Sequence, residues 1–229
     1  MTNNITKRII TSFFLLLILF MVNFSHHFIF ATTILILGLI ICIEANNVFL
    51  KIISSQYSNS KNFTKKFNLN LLIFNIITFC YVFFIFCHYS YKIHEKEGPI
   101  FFLYLISICF FTDIGGYIFG KIIGGKKLTK ISPNKTISGS LGSFIFAIIP
   151  LIVFINQEYL NLQFSQNNIL FCFFVSLISQ IGDLFVSYLK RKAKIKDTGN
   201  LLPGHGGILD RVDGIIFAVP FSYFLLKLF

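Results

Sequence analysis

The sequence predicts an all-α, polytopic integral membrane protein of about seven transmembrane helices, with its chemistry in connections on the cytoplasmic face. Three observations predict it. Of 229 residues, 55% are hydrophobic and only 13% charged, where soluble domains carry roughly 25% charged residues. The mean hydropathy is +0.77, and the apolar residues gather in runs close to the roughly 20 residues a helix needs to cross a bilayer. Basic residues are concentrated on alternate connections between those runs. A water-soluble globule is excluded, and so is a disordered chain, which needs the opposite composition. About seven crossings consume the length, leaving no expected room for a separate soluble domain.

The apolar stretches are, in order, Ile9 to Phe24, Phe28 to Ile43, Leu69 to Cys87, Pro99 to Gly120, Leu141 to Ile155, Ile169 to Leu189 and Ile208 to Leu228. The first follows Lys7 and Arg8, as a signal peptide would, but no small-residue cleavage site follows it, so it is expected to be a permanent helix. The second ends where Glu44, Asn46 and Asn47 interrupt it. With the amino terminus in the cytoplasm, 17 of the 20 Lys and Arg residues fall on that side, and the connection from Asn156 to Asn168 has none. This is the positive-inside pattern. The net charge of +11 is then a topology signal, with anionic lipid headgroups rather than nucleic acid as its neighbours. The five cysteines, Cys42, Cys80, Cys87, Cys109 and Cys172, have no Cys-x-x-Cys spacing and read as small buried hydrophobes. The Ser-, Asn- and Lys-rich connection from Ser54 to Lys66 reads as a solvated loop. The whole is one membrane domain, with amino-terminal helices and their loops over 1–98 and the candidate catalytic region over 99–229.

Two connections differ from filler. The first holds Asp113, Gly115, Gly116, Tyr117, Gly120, Lys121, then Gly124-Gly125-Lys126-Lys127, then Ser132-Pro133-Asn134-Lys135-Thr136. Asp113 ends an apolar run, where an ionised carboxylate is costly unless paired or hydrated. The glycines suit close backbone approach to a phosphate, or equally a stripe of small residues for helix packing. The frame of a Walker loop is absent.

The second is denser, running from Gly182-Asp183 through Ser187, Lys190-Arg191 and Lys196-Asp197 to Gly204-His205-Gly206-Gly207 and Asp210-Arg211-Val212-Asp213. Asp210 and Asp213, three apart at a helix start, and Asp183, about two turns inside the preceding helix, are expected to form an interfacial acidic cluster. Three such carboxylates repel one another unless a cation neutralises them. All-oxygen donors suggest Mg²⁺, completed by water and substrate phosphate, and the identity of any second cation stays open. Lys190, Arg191, Lys196 and Arg211 would meet the phosphates from the other side, an arrangement suited to phosphoryl or nucleotidyl transfer. Lys192 and Lys194 read as headgroup anchors. His205 is either a turn residue or a hydrogen-bond partner for phosphate.

From Ser187 through Asp213 the sequence resembles the signature of the phosphatidate cytidylyltransferase (CDP-diacylglycerol synthase) family, Ser-x-φ-Lys-Arg-x₄-Lys-Asp, then His-Gly-Gly-φ-x-Asp-Arg-φ-Asp, where φ is apolar. Asp113, Tyr117 and Gly120, and Ser132, Pro133, Lys135 and Thr136, resemble two upstream elements of that family, and Lys7-Arg8 is a further echo. Ser138 and Val186 stand where the family usually has acidic residues, and the chain is short for the family. The resemblance implies transfer of a cytidylyl group from CTP to phosphatidic acid, giving CDP-diacylglycerol and pyrophosphate. It also implies a homodimer in the inner membrane of a bacterium, with a cytoplasmic active site. On this reading Asp183, Asp210 and Asp213 are the metal ligands. Lys190, Arg191, Lys196, Asp197, His205 and Arg211 are the catalytic group. Asp113, Tyr117, Lys121, Ser132, Lys135, Thr136, Ser187, Gly206 and Gly207 bind substrate. A CTP-dependent polyprenol- or phytol-type lipid kinase, or a related CTP:lipid transferase, is the nearest alternative. An ion-coupled transporter is the non-enzymatic one, although no internal duplication supports it.

Overall fold

A computed structural model describes residues 2–57, 63–155, 157 and 162–228. Lys61 and parts of the connections 54–66 and 156–168 lie outside the described residues. The described chain is helical: α1 (Thr2–Asn23), α2 (His27–Tyr57), α3 (Phe63–Cys80), a π-helical segment (Tyr81–Cys87), α4 (His88–Lys96), α5 (Gly98–Ile122), α6 (Ile137–Phe146), α7 (Ile149–Phe154), α8 (Gln166–Lys192), α9 (Leu209–Val212) and α10 (Ile215–Leu225). Among the described residues the only β-type pairings are two isolated bridges, Lys127 with Thr136 and Leu202 with Gly206.

Five helical runs among the described residues are long and apolar enough to cross a membrane: His27–Ser55, Asn68–Lys96, Gly98–Ile122, Ile137–Phe154 and Gln166–Lys192. Two of the seven expected stretches behave differently. The apolar part of α1, Arg8–Asn23, is shorter. The last stretch breaks at Asp213 and Gly214 into α9 and the 11-residue α10, which carries Pro220 inside it. Many large apolar side chains point outward, among them Phe28 at 72% and Phe84 at 69% exposure, which a soluble protein avoids and a lipid-facing helix requires.

The described residues form two compact units, each drawn from separate parts of the chain. In the first (1–91 and 188–212), α2 is the central helix and packs against α1, α3, the π segment and α9. It runs through Glu44 and Asn46 to Tyr57 instead of stopping at Ile43, because both polar groups are satisfied. Asn46 Oδ1 accepts from Asn75 Nδ2 of α3 at 3.0 Å, beside a stacked Phe49–Phe74 pair, and Glu44 is engaged as described below. Val48, Ile52 and Ala193 form a buried cluster with Phe49, Leu189 and Ile195 around them. The end of α8 is fixed by Lys194 in the left-handed region (φ 56), with Ile195 N donating to Lys190 O at 3.0 Å.

In the second unit (92–187 and 213–229), α5 packs against α6, α7 and α10. The glycine stripe of α5 is a packing surface. A Cβ on Gly115 would lie 2.5 Å from the Gly142 carbonyl and 2.6 Å from Phe146 Cβ, and one on Gly116 would lie 2.8 Å from Ser143 Oγ. Replacing Gly115 by Ala should therefore lower stability by about 1–3 kcal/mol, read as a lowered thermal midpoint in detergent. An unchanged midpoint would show that α5 and α6 are not in contact there.

Candidate active site

In the second unit, α8 carries Asp183, 23% exposed, which pairs with Lys135 from the loop before α6. Its other oxygen, Oδ1, accepts from Ser187 Oγ, one turn on, at 3.3 Å. The loop from Ile123 to Thr136 is closed by hydrogen bonds from Leu128 N to Lys135 O at 2.8 Å and from Ile137 N to Lys126 O at 3.0 Å. Gly124 and Gly125, with φ of 63° and 102°, supply the left-handed turn that starts it. Thr136 caps α6, accepting from Gly139 N at 3.0 Å as an N-cap threonine should, and its hydroxyl meets Ser138 Oγ at 3.0 Å. Ser138 in turn donates to Gly124 O, so it serves the loop where the resembled family has an acid. Ser132 receives Lys135 N on its carbonyl at 3.1 Å. Tyr117 is exposed and lies under Lys121, whose Nζ is 5.6 Å from the ring centroid. Asp113 is exposed within α5, more than two turns before its end. Asp213 Oδ1 accepts from Gly214 N at 2.9 Å, and its carbonyl passes 2.8 Å from where a Cβ on Gly182 would stand. That close approach sets Asp213 next to the residue preceding Asp183.

In the first unit, Asp210 is the organising group, with its side chain 4% exposed. Oδ1 accepts from Lys190 Nζ at 2.7 Å. Oδ2 accepts from Thr198 N at 2.7 Å and Gly207 N at 3.0 Å, with Thr198 Oγ1 also at 3.0 Å. Burial pushes its pKa up, but the Lys190 hydrogen bond, the two N–H donors and the Lys190 charge outweigh burial and hold it below the ordinary carboxylate value. The folded carboxyl thus binds its proton more weakly than the unfolded one. The stability it contributes is complete above the unfolded value of about 3.9 and is lost as pH falls through the lower folded value. A melting series is expected to show this loss below about pH 4, and Asp210→Asn should lack that component.

Sequence reasoning passed over Glu44 as a mere interruption, and it belongs to this site. It is 4% exposed on α2. Oε1 accepts from Ile208 N at 3.0 Å, and Oε2 from Leu209 N at 2.8 Å and Thr198 Oγ1 at 2.9 Å. Ile208 and Leu209 carry N–H groups at the start of α9, which the helix itself leaves unpaired. A Cβ on Gly199 would stand 2.7 Å from Glu44 Oε1, and one on Gly207 would collide with Thr198 Oγ1 and Glu44, so a side chain at either position would push the Glu44 carboxylate off its donors. Two carboxylates, Glu44 and Asp210, therefore each join Thr198 to the far end of the loop, Asp210 through the N–H groups of Thr198 and Gly207 and Glu44 through the Thr198 hydroxyl and the N–H groups of Ile208 and Leu209.

Five further residues of the signature, Lys196, Asp197, His205, Gly206 and Arg211, line a cavity of about 540 Å³. Arg191 and Lys192 are exposed on α8, Lys192 with its Nζ 4.9 Å from the centroid of the Tyr188 ring. This separates the lysines. Lys190→Ala, which leaves Asp210 buried and unpaired, should cost at least about 100-fold in activity. Lys192→Ala should cost less than about threefold. Equal losses in the two variants, measured by turnover at saturating substrate, would refute the division.

Among the described residues no three His, Cys, Asp or Glu side chains are gathered to hold a metal ion. Any divalent ion here would take most of its ligands from water and substrate. Asp183 fits such a role, because Oδ1 has a single 3.3 Å donor and the group is open to solvent. Asp210 would accept a metal only by giving up Lys190, since its oxygens already take donors on both sides.

Comparison with known proteins places these features in a family. The sequence model of the cytidylyltransferase family matches residues 39–229, which takes in Glu44 and every residue named above in this site. The chain is 41% identical over 145 residues to a phosphatidate cytidylyltransferase of Bacillus subtilis, covering 62% of this chain and 54% of the relative. It is 45% identical over 125 residues to one of Rickettsia bellii, covering 52% and 54%. It is 36% identical over 136 residues to one of Helicobacter pylori, covering 59% and 50%. The aligned part thus spans about half the length of these relatives. With most of its length matched by the family's sequence model, the chain belongs to the cytidylyltransferase family.

Proposed function

We propose that the chain transfers the cytidylyl group of CTP to phosphatidic acid, forming CDP-diacylglycerol and pyrophosphate, as a homodimer in the bacterial inner membrane with its active site on the cytoplasmic side. The observation that carries this reading is the Asp210 centre: the segment matching the signature is folded around one buried carboxylate, leaving Lys196, His205 and Arg211 on a cavity wall. Names of the relatives supply the substrates, and the positive-inside bias supports the orientation. The first and last apolar stretches would bring the crossings to seven.

The reaction needs little from the protein beyond placement and charge. A phosphatidate phosphate oxygen, already ionised at neutral pH, attacks the α-phosphorus of CTP. A P–O bond forms, the bond from the α-phosphorus to the bridging oxygen breaks, and pyrophosphate leaves with the electron pair. No general base is required. Lys196, Arg191 and Arg211 neutralise phosphate oxygens, Arg through a two-pronged grip. Gly206 lets the backbone of the turn come close to substrate, Gly207 makes room for Glu44 and Thr198, and His205 fixes the turn through the α1 hydroxyls on its two ring nitrogens, reaching phosphate only by releasing one of them. Lys190 holds Asp210, and Asp210 holds the loop. Asp113, Tyr117, Lys121, Ser132, Lys135, Thr136 and Ser187 are proposed for substrate binding, and Asp183, with Asp213, for Mg²⁺, the remaining ligands coming from water and substrate; Asp210 is kept for the loop by Lys190. Bound there, Mg²⁺ would supply charge neutralisation to the transferring phosphoryl group.

Purified chain in mixed micelles with CTP, Mg²⁺ and phosphatidic acid should release pyrophosphate only when all three are present. Release without phosphatidic acid would contradict the assignment, as would transfer unaffected by a chelator in the case of the metal.

A further inference from the structure

Arg8 opens the apolar part of α1, where a basic residue ordinarily does no more than hold a helix end at the headgroup layer. Its contacts within the first unit go beyond that. Arg8 Nε donates to Gly204 O at 2.9 Å, and Arg211 Nη2 donates to the next carbonyl, His205 O, at 2.8 Å. A single turn thus tethers, through consecutive carbonyls, the guanidinium groups of Arg8 and Arg211, which stand on two helices far apart in the chain. The turn is itself locked to α1. Thr11 Oγ1 lies 2.6 Å from His205 Nδ1 and Ser12 Oγ lies 3.1 Å from His205 Nε2, while Gly204 and Gly206 take φ of 78° and 86°.

Each guanidinium has five N–H donors, and neither Arg8 nor Arg211 joins an ion pair among the described residues; nor does Lys196. All three line the 540 Å³ cavity, against one carboxylate, Asp197. Its size is that of a small-molecule site, and three uncompensated cations, two of them planar forks, suit the oxygens of phosphate. Anchoring at a headgroup layer would require neither the carbonyl tether nor the hydroxyl contacts to His205.

We propose that Arg8 is a phosphate-binding residue, contributed by a helix outside the residues that the family's sequence model matches, and that α1 is a wall of the anion pocket. The ligand is a phosphate-bearing anion, either the soluble polyphosphate or the lipid headgroup. The choice of probes rests on the proposed cytidylyl transfer, while the pocket stands on its own contacts.

The test measures equilibrium binding of labelled pyrophosphate and of CTP to the full chain in detergent without lipid. Separately, it measures binding of labelled phosphatidic acid carried in neutral-lipid bilayers. Arg8→Gln should raise the Kd for at least one of these by about tenfold or more, with Arg8→Lys recovering part of the loss. A change confined to pyrophosphate and CTP assigns Arg8 to the soluble polyphosphate, and one confined to phosphatidic acid assigns it to the headgroup. Binding of all three probes unchanged in Arg8→Gln would overturn the proposal, with weakened binding in Arg211→Gln showing that the pocket is still read. Should Arg8→Gln fail to accumulate, Arg8→Lys carries the test, because it keeps the charge and loses the fork, and unchanged binding there overturns the proposal equally. A wild-type chain that makes no CDP-lipid but loses pyrophosphate binding on Arg8→Gln would end the reaction assignment and leave the pocket standing.

Discussion

Asp210→Asn is expected to abolish turnover, by about 10³-fold or more, although the two side chains have almost the same shape. The amide removes the charge that holds Lys190 at 2.7 Å. It also turns an NH₂ group toward either Lys190 or the N–H groups of Thr198 and Gly207, all of them donors. Breaking a buried pair from one side costs about 3–5 kcal/mol, because the partner charge stays behind. The loss of activity should therefore come with a loosened loop, visible as faster amide exchange over residues 197–208 in a protein that still inserts. If Asp210 acted only on substrate, exchange in the loop would be unchanged.

Glu44→Ala is expected to be nearly as damaging despite lying well before the signature, on a helix long and apolar enough to cross a membrane. It leaves the N–H groups of Ile208 and Leu209 without their acceptor, at about 1–3 kcal/mol for each buried group, while the Thr198 hydroxyl keeps only Asp210 Oδ2. Glu44→Gln keeps one acceptor oxygen and should fall between wild type and alanine. Because Glu44 holds the loop and touches no reacting atom, kcat should fall more than KM for CTP changes. The reverse split would make it a nucleotide-binding residue.

Much of this was legible in the residue pattern, and the misses have physical reasons. Carboxylates, cations and glycines between Asp183 and Gly214 singled out this segment, and Asp210 with Lys190 stands at the centre of its hydrogen bonding. Glu44 was readable by the rule applied to Asp113, that a carboxylate in an apolar helix must be paired. Its partners, however, are backbone N–H groups about 165 positions away, which no local pattern displays. The same bonds explain why α2 continues past Ile43. The glycines of α5 admitted two meanings, and only the face of α6 set against them decided for packing. The break at Asp213 and Gly214 was hidden because the apolar run resumes at once, whereas the close contact of Gly214 with Ser179 is tertiary.

The position of the transferred phosphorus tests the account most directly. Chain supplied with phosphatidic acid and CTP labelled either at the α- or at the γ-phosphorus should place the α-label in lipid and the γ-label in released pyrophosphate. A γ-label appearing in lipid, with CDP released, would contradict cytidylyl transfer and make the chain a lipid kinase.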